Sequence, residues 1–535
     1  MIRKVLALLL LLVPATAYAE WYEARSSHFI VYSDGSREDA QAYAEKLERF
    51  DYVLRTLHRV DSSRAVNPLR VFLFSGAGEV GDMIGASSIA GYYVPDARAQ
   101  IFVGTRSQAR GTSGSRTSRS ARMDPETVLL HEYSHHFMYQ NFPASYPTWY
   151  SEGFAEFWGA TRFLEGNVVE IGLPAEHRFS TFHILGWLPL ERMLTAHSYA
   201  DVGGENVFLL YAQGWLMMRY VFNHPERKRQ LDEYLRLING GASYEEAMRQ
   251  AFPDLSSFNS ELYQYAGRGR FDVVRLPFRE LPVGEITVRE LRPAENALIE
   301  HEIKLSQGYV HTEAADFAED VREIAARYPA DPFALSVLME AERLAGNEEA
   351  AIAAADRLLA IESRNARAMT TRGLAQAALL REAQSTDTAA WTAIQRSLAR
   401  AIEIAPRDPV VLAAYYESYT LQGVLPPVEA QNALYIATEL APSDGELRYQ
   451  LARDFEQRGM IPEAIAIIRP EALALPHDES DREKRERERN EERYRRAGRE
   501  RHETARDMLT RLEASRSETD RQRQAEAEED AAARN

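Results

Sequence analysis

The apolar positions in the first part of the chain follow first the period of a strand and then that of a helix. Trp21 to Ser33 alternates apolar and polar residues, which predicts a strand, and Leu69 to Phe74 and Gln100 to Val103 predict two more. Between the first two strands, Ser36 to Leu57 has a helical period, with Ser36 and Asp39 as a candidate capping pair. This part therefore predicts a mixed α+β fold.

After residue 270 the chain becomes strand-like and punctuated by proline, and then rich in alanine with a helical period. From residue 329 a short mark recurs, a proline or serine followed two positions later by Asp or Asn, at intervals of 34, 43, 36 and 34 residues. The marks begin at Pro329, Ser363, Pro406, Pro442 and Pro476. Glycines 17 residues after three of these marks fit the turn of a helix-turn-helix unit: Gly346, Gly423 and Gly459.

The longest interval predicts an insertion at Arg381 to Ala389, and Pro293 to Tyr328 predicts an extra helix pair that caps the array. The period resembles tetratricopeptide repeats. This resemblance implies a curved solenoid whose concave face binds extended peptides or partner proteins.

The segment from Asp481 onward is dominated by interspersed Arg and Glu, with few apolar residues before Met508, Leu509 and Leu512. It predicts a solvated charged helix that frays into a disordered tail. Earlier in the chain, Gly104 to Met123 is rich in Arg, Ser and Gly. We interpret it as a mobile basic loop, which is either a disordered insertion or a flap that attracts acidic substrates.

The N-terminus has the pattern of a secretory signal peptide. Arg3 and Lys4 precede an apolar stretch from Val5 to Val13, and Ala17-Tyr18-Ala19 fits the small-x-small cleavage site before Glu20. The apolar stretch is too short to span a bilayer. The chain has no cysteine, which excludes a disulfide framework and a lipidated cysteine. We expect a bacterial periplasmic protein, with secretion as the alternative.

The formal net charge of −17 argues against nucleic acid or an anionic membrane as the main partner. The charge does not by itself indicate which proteins or peptides bind.

The pentad His-Glu-Tyr-Ser-His, from His131 to His135, carries the strongest chemical signal. Histidines four residues apart on a helix lie on the same face, so both imidazoles can bind one metal ion. A catalytic zinc site usually takes a third protein ligand, and Glu152 is the candidate. Glu132 is rotated by roughly 100° from the first histidine, which suits a carboxylate that takes a proton from metal-bound water.

The residues before the pentad predict the start of its helix. Asp124 can cap, Pro125 suits the first helical position, and Glu126 suits the positive end of the helix dipole. Glu156 follows Glu152 by four residues, one turn along the same face of a second helix. There it could accept the spare ring N–H of a ligating histidine.

The pattern His131-Glu132-x-x-His135 with Trp149-x-x-Glu152-Gly-x-Ala resembles the gluzincin metallopeptidases, the thermolysin and M1-aminopeptidase type, especially the bacterial peptidase MA-like branch. The resemblance covers about half of the chain and implies a thermolysin-like α/β lobe followed by a helical lobe. The chain departs from M1 aminopeptidases because it has no Gly-Ala-Met-Glu-Asn segment to anchor a free amine. This difference counts against aminopeptidase activity and leaves the choice between endopeptidase and exopeptidase open.

The resemblance also implies a Tyr or His from the helical lobe that steadies the oxyanion. Tyr211 is the candidate, with a core aromatic as the alternative interpretation, and His183 and His197 are lesser candidates. His136 lies off the ligand face and is interpreted as structural. In the thermolysin-like fold an edge strand lies beside the active-site helix, which makes Tyr92 to Val103 a candidate substrate rim, or simply a sheet edge.

These patterns predict an α+β thermolysin-like (gluzincin) peptidase domain followed by an all-α tetratricopeptide solenoid. The expected divisions are a signal peptide at 1–19, the peptidase domain at 20–280, a linker and repeat domain at 281–480, and a charged tail at 481–535.

The expected function is an exported zinc metallopeptidase with Zn²⁺ as its cofactor. His131, His135 and Glu152 would hold the metal, Glu132 would act as the base, and Tyr211 would steady the oxyanion. The array would recruit a peptide or protein substrate or a partner protein. The alternative is a non-catalytic scaffold for envelope assembly in which the metal site is vestigial or structural.

Overall fold

The structure is a computed structural model, and it describes most of the chain in separate stretches. The described residues are 20–61, 67–84, 90–106, 124–173, 181–182, 184–196, 199–204, 206–268, 271, 273–307, 314–473 and 503–516. Several predicted features lie outside them: the signal peptide, most of the basic loop, His183, His197, the mark at Pro476 and most of the charged tail.

Nine described strands form two sheets. They are β1 (Tyr22–Arg25), β2 (Phe29–Ser33), β3 (Leu69–Phe74), β4 (Gly91–Val94), β5 (Ile101–Thr105), β6 (Arg162–Leu164), β7 (Val168–Ile171), β8 (Val274–Pro277) and β9 (Thr287–Glu290). The larger sheet has the order β4-β5-β3-β2-β1-β9, and the smaller has the order β6-β7-β8. The β2–β3 and β3–β5 pairs are parallel, whereas β4 runs antiparallel to β5. The strands predicted at Leu69 to Phe74 and at Gln100 to Val103 are confirmed as β3 and β5. The segment from Trp21 to Ser33, predicted as one strand, instead forms the two antiparallel strands β1 and β2. Strand β4 is an edge strand.

Strand β9 pairs with β1, with Glu290 opposite Tyr22. Strand β8 pairs with β7 in the smaller sheet. The segment that follows residue 270 thus returns to the α+β part of the chain before the helical array begins.

The α+β part also contains a series of helices. They are α1 (Arg37–His58), α2 (Ala77–Ile84), α3 (Pro125–Asn141), α4 (Thr148–Gly159), α5 (Leu190–Leu194), α6 (Tyr199–Val202), α7 (Asn206–Asn223), α8 (Pro225–Asn239), α9 (Tyr244–Ala251) and α10 (Leu255–Gly267). The capping box of Ser36 and Asp39 at α1 is confirmed. Helix α3 begins with Pro125 as predicted, but the Asp124 side chain makes no cap hydrogen bond.

Helix α3 packs against β4 and β5 on one side and against α4 on another. Its apolar residues join a core formed by the larger sheet, α1 and α4, and Phe137 in this core is fully buried. A second core lies among the helices from α5 to α10. The pentad therefore lies on a helix that is enclosed by the sheet and by the helical part that follows.

The remaining helices form a solenoid-like array of helix pairs, as the repeat predicts. They are α11 (Pro293–Ser306), α12 (Ala314–Ala325), α13 (Pro332–Leu344), α14 (Glu348–Ile361), α15 (Ala366–Glu382), α16 (Thr388–Ile404), α17 (Pro409–Gln422), α18 (Val428–Leu440), α19 (Gly445–Gln457) and α20 (Ile461–Leu473). Consecutive helices pack on one another along the array. This is the helix-turn-helix arrangement of the tetratricopeptide type.

The repeated marks have a physical role, because their Asp or Asn caps the first helix of a unit. The side chains of Asp331, Asn365, Asp408 and Asp444 each accept hydrogen bonds from backbone N–H groups in the first turn. The glycines of the turns take positive φ angles, 76° at Gly346, 78° at Gly423 and 74° at Gly459. The long interval reflects longer helices, since α15 and α16 have 17 residues each.

The array contacts the α+β part at the turn between β4 and β5. The Arg98 guanidinium pairs with Glu302 of α11 at 2.8 Å and with Glu340 of α13 at 3.1 Å. The backbone N–H of Ala97 donates to the Asp444 carboxylate at 2.7 Å. The turn that ends the edge strand is thus attached to several repeat units.

The charged helix predicted for the tail is present in one stretch, but it is not fully solvated as predicted. Residues 505–516 form a helix, and Met508, Leu509 and Leu512 are buried against α19 and α20. These residues lie at positions i, i+1 and i+4, so a short apolar stripe covers the last repeat unit.

Among the described residues, no helix is long and apolar enough to cross a membrane.

Candidate metal centre

The structure brings the three predicted ligands together. His131 Nε2 and His135 Nε2 lie 3.2 Å apart, and Glu152 Oε2 lies 3.3 Å from the first and 3.5 Å from the second. The side chains are only 9%, 12% and 13% exposed, in the same order. Two helices supply them, since both histidines are on α3 and the glutamate is on α4.

This triangle matches the dimensions of a zinc site. Zinc bonds of about 2.0–2.2 Å to nitrogen or oxygen at tetrahedral angles place neighbouring ligand atoms about 3.3–3.6 Å apart. The three observed separations, 3.2, 3.3 and 3.5 Å, are close to that range. Two imidazole nitrogens and one carboxylate oxygen also leave a fourth position for water or substrate. The residues therefore fit a zinc ion in both chemistry and geometry.

The charges of the site favour a cation. Burial works against a charged His131, but hydrogen bonding to Glu152 and the charges of Glu156 and Glu132 outweigh it and raise the pKa of His131 to about 9. Burial would raise the pKa of the Glu152 carboxyl, yet the two imidazoles hold that pKa well below its usual range. The carboxylates thus create a negative potential at the point where the two imidazoles meet.

Glu132 lies beside His131 on α3 and is only partly buried. Glu156, in contrast, is 3% exposed, and its Oε1 lies 3.8 Å from His131 Nδ1. Glu156 thus lies beside the first histidine at a distance longer than a hydrogen bond, and its role as acceptor of the ring N–H stays a prediction.

The prediction missed the partner of the second histidine. His135 Nδ1 lies 3.1 Å from Ser151 Oγ, which lies 2.7 Å from the Tyr139 hydroxyl. Tyr139 follows His135 by four residues on α3, and Ser151 directly precedes Glu152 on α4. The interval on α3 was visible in the sequence, but the contact depends on how the two helices pack.

Glycines set the spacing of the helices that form the site. A Cβ added to Gly159 of α4 would lie 3.0 Å from the His131 backbone. A Cβ added to Gly153 would lie 2.5 Å from the backbone of Gly214 on α7. The glycine that follows Glu152 therefore permits α4 and α7 to cross in close contact.

Tyr211 lies three residues before Gly214 on α7, the helix that crosses α4. It is partly buried. The structure thus places the candidate oxyanion residue on the helix packed against α4, while its catalytic role stays a prediction.

His136 Nδ1 lies 3.2 Å from the Tyr93 hydroxyl, and burial lowers the pKa of His136 to about 3. This agrees with a structural role for His136.

A second cluster of metal-binding residue types lies behind α3. His28 Nδ1 is 2.8 Å from Glu48 Oε2 and 3.6 Å from Asp51 Oδ2. Asp51 also pairs with Arg55 at 2.7 Å and accepts a hydrogen bond of 2.5 Å from the Tyr133 hydroxyl. Because Tyr133 is part of the pentad, this cluster contacts α3 on the side away from the candidate ligands.

No known protein family matches the chain, and no curated protein matches it. Two solved structures with partial similarity are a thermophilic TPR protein from Thermus thermophilus and the MamA RS-1 ArsTM double mutant. The first structure is 22% identical to this chain, with a TM-score of 0.30, and the match spans 37% of this chain and 97% of the Thermus protein. The second is 16% identical, with a TM-score of 0.25, and the match spans 34% of this chain and 93% of the MamA chain. Similarity at this level supports no conclusion about function.

Proposed function

We propose that this protein is a zinc-dependent peptidase of thermolysin-like type. The triangle of His131 Nε2, His135 Nε2 and Glu152 Oε2 supports the proposal, because its edges of 3.2 to 3.5 Å fit tetrahedral zinc. Zinc, when bound there, would act as a Lewis acid that lowers the pKa of water and polarises a peptide carbonyl.

The protein residues would supply the remaining steps. The Glu132 carboxylate, beside the first ligand on α3, would take a proton from the attacking water and return it to the leaving amine. Tyr211 on α7 would donate a hydrogen bond from its hydroxyl group to the oxyanion. The edge strand β4 packs beside α3, so an extended peptide could add to it through main-chain hydrogen bonds.

Two variants test the proposal. We expect wild type and Glu132→Gln to bind zinc at one equivalent per chain, whereas only wild type cleaves peptides. The expected loss is at least about 100-fold, because a general base typically contributes 10²–10⁴-fold to the rate. The measurement is metal content together with cleavage of a broad peptide library. Full cleavage by Glu132→Gln would refute the mechanism. Glu126→Gln, on the first turn of the same helix, is the matched control and should keep full activity.

The second candidate function is a non-catalytic scaffold, and the helical array favours it. Stacked helix pairs often bind partner proteins, and here they occupy a large part of the described chain. A scaffold would retain its complete cellular effect in Glu132→Gln, whereas a peptidase would lose it. The peptidase proposal also includes export to the periplasm and recruitment of a substrate or partner protein by the helical array. Cell fractionation of the full-length protein tests export, and affinity capture with the full-length protein tests recruitment.

A further inference from the structure

The two histidines of the metal centre have different neighbours at their second ring nitrogens. His131 Nδ1 faces the carboxylate of Glu156 at 3.8 Å. His135 Nδ1 faces a hydroxyl, Ser151 Oγ, at 3.1 Å. The second contact has hydrogen-bond length, so the stronger orienting contact is made by a residue that carries no charge.

A neutral imidazole that binds metal through Nε2 must carry its hydrogen on Nδ1, and that hydrogen needs an acceptor. Ser151 Oγ is in position to accept it. The serine can then donate its own hydrogen to the Tyr139 hydroxyl, 2.7 Å away. In the other tautomer both hydrogen bonds reverse, because a hydroxyl can donate as well as accept.

The contact also has a rigid setting. Ser151 is 6% exposed and directly precedes Glu152 on α4. The residue that contacts the candidate ligand His135 is therefore the chain neighbour of the candidate ligand Glu152. Tyr139 lies one helical turn after His135 on α3, and their rings are nearly parallel, with an angle of 14°. The hydrogen bonds therefore join the two helices that carry the ligands.

We propose that Ser151 and Tyr139 are positioning residues that hold the His135 ring in its metal-binding orientation. This inference rests on the proposed function and deepens it. Because the hydroxyl pair can satisfy both tautomers, His135 would keep the same ring orientation with and without metal. Zinc binding would then require a shift of hydrogens and no rotation of the ring.

The test is zinc affinity, measured by competition with a chelator on the full-length protein. We expect Ser151→Ala to weaken zinc binding by about 10- to 100-fold, the usual range for residues that orient a ligand. Tyr139→Phe should weaken it by a smaller factor, since Ser151 remains. Ser151→Thr keeps the hydroxyl and should restore most of the affinity.

Tyr146→Phe is the matched control. Tyr146 is a partly buried tyrosine whose ring lies beside that of Tyr139, but whose hydroxyl donates to the Phe142 carbonyl at 2.8 Å and not to a ligand or to Ser151. Its loss should leave zinc affinity unchanged. Thermal unfolding of each metal-free variant shows whether the fold persists, because a merely structural role would lower the unfolding temperature without a selective loss of zinc affinity.

Two outcomes separate this inference from the proposed function. If wild type binds zinc tightly and both Ser151→Ala and Tyr139→Phe bind it within about twofold of wild type, the positioning role is refuted and the peptidase proposal stands. If wild type itself binds no zinc, the proposed function fails, and this inference fails with it.

Discussion

Two clusters in this protein contain the same kinds of side chain, but their hydrogen bonds differ. His131, His135 and Glu152 direct three donor atoms toward one point. In the second cluster, His28 is hydrogen-bonded to Glu48, and Asp51 is paired with Arg55. Both groups have their donor atoms within 4.8 Å of one another.

Because of this difference, we expect zinc at the first cluster and not at the second, although both bring potential ligand atoms close together. Arg55 supplies the positive charge beside Asp51 that a metal ion would otherwise supply. The Tyr133 hydroxyl donates a further hydrogen bond to the Asp51 carboxylate. We therefore interpret the second cluster as an ion-pair network. The two clusters lie on opposite sides of α3, one facing α4 and the other facing α1.

The largest expected effect comes from removing a ligand charge. Glu152→Gln should weaken zinc binding by more than about 100-fold, beyond the range of residues that only orient ligands. Glu48→Gln is its counterpart in the second cluster and should leave zinc affinity unchanged. Chelator competition measures both. Equal losses of zinc in the two variants would remove the distinction between the clusters.

The next effect concerns stability. Asp51 is 1% exposed, so Asp51→Asn should cost about 3 kcal/mol of unfolding free energy, because Arg55 loses its buried partner. Zinc stoichiometry should stay at one equivalent. Glu233→Gln, which removes an exposed ion pair with Arg236, should leave stability nearly unchanged, because solvent screens the two charges. Denaturant unfolding measures these differences, and a loss of zinc from Asp51→Asn without a loss of stability would contradict our interpretation.

A smaller effect tests the helix packing on which the first cluster depends. An added Cβ on Gly214 would overlap the Trp149 carbonyl of α4, so Gly214→Ala should cost about 2 kcal/mol. Gly78→Ala is the control, because an added Cβ there meets nothing within 4 Å. The control should be neutral or slightly stabilising. If Gly214→Ala matches the control, the close crossing is not needed.

The last expected effect appears only in the pH dependence of stability, and it comes from His58, a partly buried histidine. His58 lies among aromatic rings, with centroids 5.3 Å away at Trp158 and 5.6 Å away at Phe154. Burial lowers the pKa of His58 from 6.5 to about 4, with a contribution from Lys228. In contrast, hydrogen bonding to Glu48 overcomes burial and raises the pKa of His28.

The sign of the pH effect follows from His58. Between pH 4 and 6.5 the unfolded chain takes up a proton that the folded protein excludes. The contribution of neutral His58 to folding stability is complete above pH 6.5 and declines as the pH falls toward 4. We expect a decline of about 2 kcal/mol, less than the shift alone would give, because solvent reaches part of the ring. His58→Leu should remove this decline in pH-dependent unfolding. An unchanged pH profile would contradict the assignment.

The sequence allowed some of these features to be predicted, because they depend on local spacing. His131 and His135 are one turn apart on any helix, and the repeat marks cap helices at Asp331 and Asp408 as their residue types require. The helix in the tail was predicted, but its packing on the last repeat unit was not, because the charged composition outweighed the short stripe of Met508, Leu509 and Leu512.

Other features depend on contacts between distant segments. The partnership of Ser151 with Tyr139 requires the angle between α3 and α4, and that of Tyr133 with Asp51 requires the packing of α3 on α1. The pairing of β9 with β1 joins strands that are far apart in the chain. None of these contacts follows from periodicity, which describes one element at a time.

The most direct test of the zinc site is a crystal structure with anomalous scattering recorded at the zinc edge. Our account predicts one zinc ion bonded to His131 Nε2, His135 Nε2 and the Glu152 carboxylate at about 2.0–2.2 Å. Zinc bound instead at His28, Glu48 and Asp51, or no anomalous peak within bonding distance of the pentad in zinc-saturated crystals, would contradict it.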